Sequence, residues 1–266
     1  MARRTTAADL RKKAQAAHRR KGLADAAQPY LDAAAAFESE GKADEAIAML
    51  SEALSAPGAR SDGATHQQRE LRRALAHLLA HARRVGDAIG EYEELLKSGT
   101  PDAESLQALA QLYVAAGKTS LATDRLRRAI DRSIAEGDIT QAALAAGRIA
   151  ELMPDSIEAA AQHAALLRNI GGDELLAVLE RLSRMYQAAE KLAAEVATCR
   201  EILSLAPSRT DVKTRLVSLY TRILEMDPRD DDAWQGLRVL DGELAEQIAV
   251  LLMDELGETH PRTKAG

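Results

Sequence analysis

Residues 30–53, YLDAAAAFESEGKADEAIAMLSEA, and residues 106–129, LQALAQLYVAAGKTSLATDRLRRA, place their apolar and small residues at identical spacings. Residues 72–95, RRALAHLLAHARRVGDAIGEYEEL, follow the same pattern. Apolar residues three, four and seven apart lie on one face of a helix, and a glycine between two such runs permits a tight turn. Each segment is therefore predicted to be a hairpin of two helices. Thr100 and Pro101 predict the helix start before the 106–129 segment, as cap and first-turn proline.

This repeated unit resembles the tetratricopeptide repeat, and the resemblance covers most of residues 24–257. The residues that match its pattern in the clearest unit are Leu106, Ala110, Tyr113, Gly117 and Ala122. The resemblance implies an all-α fold, an α-solenoid of stacked antiparallel helix hairpins that forms a superhelix. Composition agrees, because aromatic residues are only 3% of the chain and no stretch alternates with the period of a strand.

The later repeats match the pattern less closely. Glu190 and Glu195 stand where the family has Gly and Ala. Residues 226–234, MDPRDDDAW, are similar to the end of one repeat and the start of the next, which makes the tryptophan a structural residue. The helices near residues 119–135 and 213–226 each fit two repeat registers. We therefore expect single helices to pack as members of two successive hairpins.

The domain organisation follows from the repeats. Residues 1–22 are predicted to be a basic N-terminal arm or a capping helix, and residues 23–257 the helical solenoid. A loop at residues 57–64 is a possible boundary within the solenoid, and residues 258–266 are predicted to be a flexible tail.

Charge is concentrated at the N-terminus. Eight of the 35 Lys and Arg residues, but only one of the 41 acidic residues, lie within residues 1–22. The basic residues of this arm are Arg3, Arg4, Arg11, Lys12, Lys13, Arg19, Arg20 and Lys21. One interpretation is an electrostatic tether to nucleic acid or an anionic membrane surface. The other is a capping helix, since Ala14, Gly22 and Ala27 match the repeat spacing and terminal repeats have a polar outer face.

Compartment and source are predicted from composition. Asp9 and further charged residues occupy the place of the apolar region of a signal peptide, and no uncharged stretch reaches the length of a membrane span. The single Cys199 excludes an internal disulfide and is predicted to be a small buried residue. We expect a cytoplasmic protein, and the Ala- and Arg-rich composition suggests a bacterium with a GC-rich genome.

The sequence contains no local motif for catalysis. His77 and His81 have the spacing of metal ligands on one helix face, with His66 upstream, but no local Cys or carboxylate motif completes a set. They are predicted to be partner contacts, with neither metal nor cofactor. No phosphate-binding glycine loop follows a strand, and no local motif sets a nucleophile beside its base. The sequence therefore predicts a protein that is not an enzyme and has no small-molecule substrate.

The predicted function is a protein-protein interaction scaffold or adaptor that binds a segment of another protein. In the family that the chain resembles, ligands lie in the concave groove formed by the first helix of each hairpin. The repeat alignment implies that this groove is lined here by Glu70, Arg73, His77, His81, Glu104, Gln107, Gln111 and Val114. Arg73 is predicted to pair with a partner's carboxylate. Because no packing role is predicted for these residues, we expect substitutions of Arg73, Gln107 and Gln111 to leave stability nearly unchanged.

Overall fold

The computed structural model describes residues 6–56, 66–97, 99 and 102–256, with side chains described as far as residue 251. Within these residues the chain forms fourteen α-helices and no strand. The predicted all-α fold is confirmed. The chain divides into two compact units, residues 1–152 and residues 153–266.

The first unit contains eight helices, each packed against its neighbour in the chain. They are α1 (Ala7–Lys21), α2 (Leu23–Ser39), α3 (Ala43–Ser55), α4 (His66–His81), α5 (Val85–Lys97), α6 (Ala103–Ala115), α7 (Thr119–Glu136) and α8 (Ile139–Leu152). In addition α2 packs against α4, as the first helices of successive hairpins do. The unit is thus a stack of antiparallel helix hairpins.

The second unit contains six helices, again packed in chain order. They are α9 (Ile157–Leu167), α10 (Asp173–Ala188), α11 (Leu192–Leu205), α12 (Thr210–Met226), α13 (Asp231–Leu240) and α14 (Gly242–Leu256). Asp230 caps α13 by accepting the Ala233 N–H at 2.8 Å, and the Trp234 indole N–H donates to the Pro228 carbonyl at 2.8 Å. These contacts give the tryptophan the structural role that the sequence predicts.

One turn recurs between the two helices of a hairpin. In each case a residue just after the first helix has a left-handed backbone, and these residues are Gly41 (φ 72°), Arg83 (φ 58°), Gly117 (φ 71°) and Glu190 (φ 53°). The amide after it donates to a carbonyl five residues back, as Lys118 does to Tyr113 at 2.8 Å and Lys191 to Tyr186 at 2.9 Å. This bond satisfies a carbonyl that the end of a helix leaves without a partner. The turn therefore tolerates Glu190 in place of glycine.

The repeated pattern defines the core. The apolar residues that match it are buried, as Leu109, Tyr113 and Ala122 show with at most 1% of their surface exposed. Burial of a leucine stabilises the fold by about 1.5 to 3 kcal/mol, whereas the alanines mainly allow the helix axes to approach closely. Helix α7 packs against both α6 and α8, and α12 against both α11 and α13, as the other interior helices of each unit pack on their two neighbours in the chain. That α7 and α12 belong to two repeat registers stays a prediction. The fold is that of a tetratricopeptide-type helical repeat.

Helix α1 packs against α2, and its Ala7 and Ala14 are fully buried. Thr6 and Asp9 form a reciprocal capping box at its start, and the His18 ring nitrogen lies 3.2 Å from the Tyr30 hydroxyl. Such packing supports the capping interpretation of the basic segment. The exposed basic side chains of α1 are Lys12, Lys13, Arg19, Arg20 and Lys21.

Several predicted features lie outside the described residues. They are Arg3, Arg4, Thr100, Pro101, the loop at 57–64 and the tail at 258–266.

We expect Ala14→Arg to lower the free energy of unfolding by about 1 to 3 kcal/mol, because a long charged side chain would be forced into a closely packed contact. Ala16 lies on the same helix but is exposed, so Ala16→Arg should change stability by less than about 0.5 kcal/mol. Chemical denaturation of both variants measures the difference. Equal stability of the two would show that α1 does not cap the first unit.

Candidate functional site

The first helices of successive hairpins line two adjoining concavities within the first unit. The apolar groove, about 460 Å³ in volume, lies between α6 and α8 over α7. It is lined by Gln107, Ala110, Gln111, Val114, Leu126, Leu144, Arg148, Glu151 and Leu152. Two of its apolar side chains are strongly exposed, Leu144 at 54% and Val114 at 43%.

The acidic groove, about 330 Å³ in volume, is formed by α2, α4 and α6, with Tyr92 of α5 contributing to its lining. Three carboxylates and one guanidinium line it, namely Glu38, Glu70, Glu104 and Arg73. Burial and the neighbouring Glu104 carboxylate raise the pKa of Tyr92. The groove therefore favours positively charged groups.

The structure brings the predicted contact residues together. Gln107, Gln111 and Val114 line the apolar groove, whereas Glu70, Arg73, His77 and Glu104 line the acidic groove. His81 lies beside the acidic groove, with its Nδ1 atom 3.3 Å from Oε1 of Glu38. That these residues bind a partner stays a prediction.

Sequence reasoning missed the contribution of α8. The Gln107 amide donates to Oε1 of Gln141 at 3.3 Å, across a separation of 34 residues. This separation is one repeat length, so α8 stands beside α6 as the next first helix. A further 34-residue step from Gln107, Ala110 and Val114 would have identified Gln141, Leu144 and Arg148. The sequence of α7 fits two repeat registers, so the sequence did not show clearly that α8 is the next first helix.

Arg73 has a structural role that the sequence did not predict. Its guanidinium pairs with Glu70 at 2.9 Å and with Asp102 at 2.7 Å, which joins α4 to the start of α6. The premise that Arg73 has no structural role is therefore wrong, and we now expect its substitution to lower stability. A glutamate at this position would face several carboxylates in the same groove.

Asp102 is the N-cap of α6. Its Oδ1 atom accepts the Ser105 amide at 2.8 Å, and its Oδ2 atom accepts the Ser105 hydroxyl at 3.0 Å. Partial burial by itself raises the pKa of Asp102, but the hydrogen bonds from Ser105 and the charge of Arg73 outweigh this effect. The net result is a pKa below the ordinary value of 3.8.

The second unit holds the cysteine in a setting that disfavours nucleophilic chemistry. Cys199 is buried, with its sulfur 3.4 Å from the Ser183 hydroxyl. Burial raises the pKa of the Cys199 thiol, so the reactive thiolate is disfavoured at neutral pH. Nearby Glu195, only 3% exposed, accepts from Arg215 at 2.7 Å. This glutamate, at the family's alanine position, thus serves as a buried link between α11 and α12.

No helix among the described residues combines the length and the apolar character that a membrane span requires.

No family model and no curated protein matches the chain. Similar solved structures include the MamA protein, 18% identical, with coverage of 62% of this chain and 94% of that chain and a TM-score of 0.36. Another is YrrB, described as a TPR protein with an unusual peptide-binding site, at 15% identity, coverage of 92% and 99%, and a TM-score of 0.36. BtubC from P. vanneervenii is 13% identical, with coverage of 98% and 93% and a TM-score of 0.43. Because the sequence identities and TM-scores are low, none of these similarities identifies an activity or a partner.

We expect Asp102→Asn to lower the free energy of unfolding at pH 7 by about 1 to 2 kcal/mol, between the values typical of exposed and of buried ion pairs. Asparagine still caps a helix, so the variant isolates the loss of charge beside Arg73. Because the folded pKa of Asp102 is lowered, its carboxylate stabilises the fold above pH 3.8, and this contribution is lost as the pH falls through the folded pKa.

The difference in the free energy of unfolding between Asp102→Asn and the unaltered protein should therefore become smaller below pH 3.8. Chemical denaturation at several pH values measures this difference. Asp87 provides a control, since it pairs with Arg84 at the same 2.7 Å but is 57% exposed. Asp87→Asn should change stability by less than about 0.5 kcal/mol. A difference for Asp102→Asn that is independent of pH would contradict the role of the charge.

Proposed function

We propose that this protein is a non-enzymatic scaffold or adaptor that binds a segment of a partner protein along the apolar and acidic grooves of its first unit. The observation that carries the proposal is the exposure of Leu144 and Val114 inside a concavity whose walls also present polar groups. Apolar side chains that remain accessible in a concave surface, with a few polar groups around them, are typical of binding sites.

The two grooves specify the chemistry of the partner segment. The apolar groove favours an apolar side chain against Leu144 and Val114. The acidic groove favours a Lys or Arg, because the charge of Arg73 is already engaged by Glu70 and Asp102. This pairing replaces the expectation that Arg73 binds a partner's carboxylate. The proposed ligand is therefore a peptide segment with an apolar and a basic side chain, recognised through shape and charge complementarity.

A role in binding fits the grooves better than a role in catalysis. Both grooves are open to water, and enzymes stabilise charge in sites from which water is excluded. The buried thiol of Cys199 is also held in its unreactive protonated form. We therefore propose that the grooves bind a protein segment without transforming it.

A second candidate function is an electrostatic tether through α1. Five of its basic side chains are exposed, which gives this helix a cationic surface. Binding of nucleic acid or anionic lipid by this surface would weaken steeply between about 50 and 200 mM salt, because counterions are released on binding. Recognition in the apolar groove would depend little on salt.

The groove proposal predicts that Leu144→Glu weakens binding of the partner segment by at least about fivefold, since loss of one buried apolar contact costs about 1 to 3 kcal/mol. Leu121 offers a matched control, because it is a leucine 40% exposed on α7 and lies outside both groove linings. Leu121→Glu should bind normally. Both variants should melt like the unaltered protein.

The ligand for this measurement can be found by photo-crosslinking. A photoreactive residue at Gln111 in native cells should label a peptide segment with an apolar and a basic side chain, whereas one at Leu121 should not. The labelled segment is then synthesised, and its affinity for each variant is measured by titration calorimetry. Glu104→Lys should also weaken binding, by repulsion of the basic side chain. Binding unaffected by Leu144→Glu and Glu104→Lys would place the interface elsewhere.

A further inference from the structure

A third potential metal ligand joins the histidine pair of α4 in the folded chain. Glu38, near the end of α2, lies with its Oε1 atom 3.3 Å from the Nδ1 atom of His81. His77 packs against His81 with ring centroids 4.0 Å apart. One ligand atom from each of the three residues can be chosen such that all lie within 4.8 Å of one another. The sequence alone gave only two of these residues, because Glu38 belongs to another hairpin.

These separations suit a small divalent ion. Zinc binds imidazole nitrogen and carboxylate oxygen at about 2.0 to 2.2 Å, which places two ligand atoms of a tetrahedral site about 3.4 Å apart. The pair formed by His81 and Glu38 already has this separation. The side chains of His81 and Glu38 are 60% and 44% exposed, so they can adjust without disturbing the core.

The three residues are carried by two helices that are held in place by packing. Helices α2 and α4 pack directly against each other, and buried Ala34 and Leu78 lie one turn or less from the potential ligands. His77 and His81 are four residues apart and therefore share one face of α4. Ligands on packed helices are held more accurately than ligands on loops. The cluster thus has fixed attachment points and adjustable side chains.

We propose that Glu38, His77 and His81 form a binding site for a divalent transition-metal ion, with zinc as the best fit. Two imidazoles and one carboxylate favour zinc, copper or nickel over magnesium and calcium, which prefer oxygen ligands. Three protein ligands leave one position of a tetrahedral ion for water or for a group of a bound partner. Since Glu38 and His77 also line the acidic groove, the ion would bind at the wall of that groove. The zinc proposal does not rest on the proposed function, although Glu38 and His77 also line the acidic groove.

Zinc chloride and the full chain without an affinity tag provide the direct test. Competition with a chromophoric chelator should show one zinc ion bound per chain. Removal of residues that merely orient metal ligands weakens binding by about 10- to 100-fold. Each of His77→Asn, His81→Asn and Glu38→Gln should therefore weaken zinc binding by at least about tenfold. Zinc should also raise the melting temperature, because it binds the folded state and ties α2 to α4.

Two residues close to the cluster in the sequence provide matched controls. His66 begins α4 but lies outside the cluster, and Glu45 is an exposed carboxylate of α3. His66→Asn and Glu45→Gln should bind zinc like the unaltered chain. The proposal is overturned if zinc does not saturate a site, or if the three ligand variants bind it normally. It is equally overturned if Glu38→Gln alone has no effect, because two histidines would then account for the binding.

Discussion

The close approach of helices through alanine faces is the contact on which the rest of the structure depends. Ala14, Ala122 and similar residues are fully buried where neighbouring helices meet. A larger side chain there would separate the axes and lose contacts on both sides. Because each helix packs mainly on its neighbours in the chain, stability is distributed along the stack. One face of the first helices consequently remains free of core packing and becomes the groove surface.

At least one residue that lines the acidic groove also holds the helices together. Arg73 lines the acidic groove, yet it also ties α4 to the cap of α6 through Asp102. Its charge is used within the protein, which leaves Glu38 and Glu104 to set the electrostatic character of the groove. In the proposed function, a partner segment contacts carboxylates in the acidic groove and the apolar side chains of α6 and α8 in the apolar groove. Glu38 of the acidic groove, together with the imidazoles of His77 and His81, provides the ligands of the proposed zinc site.

The second unit uses the same turns with different residues. Glu190 adopts the left-handed backbone that glycine has elsewhere, and the turn is preserved because its hydrogen bond is made by the main chain. Glu195 takes the place of a small residue and is compensated by Arg215. A buried carboxylate without such a partner would be costly. These departures weaken the sequence pattern but leave the helix hairpin intact.

The sequence by itself determined the helix hairpins, their turns and the groove-facing positions of α4 and α6, because periods of 3.6 and 34 residues are local properties of the chain. It could not determine that Asp102 caps α6, that Arg73 is already paired, or that Leu144 of α8 completes the apolar groove. Nor could it place Glu38 beside His81. Only the tertiary structure decided these contacts, since they join side chains from different hairpins. Their distances depend on how helices pack against one another, which spacing within a single helix does not specify.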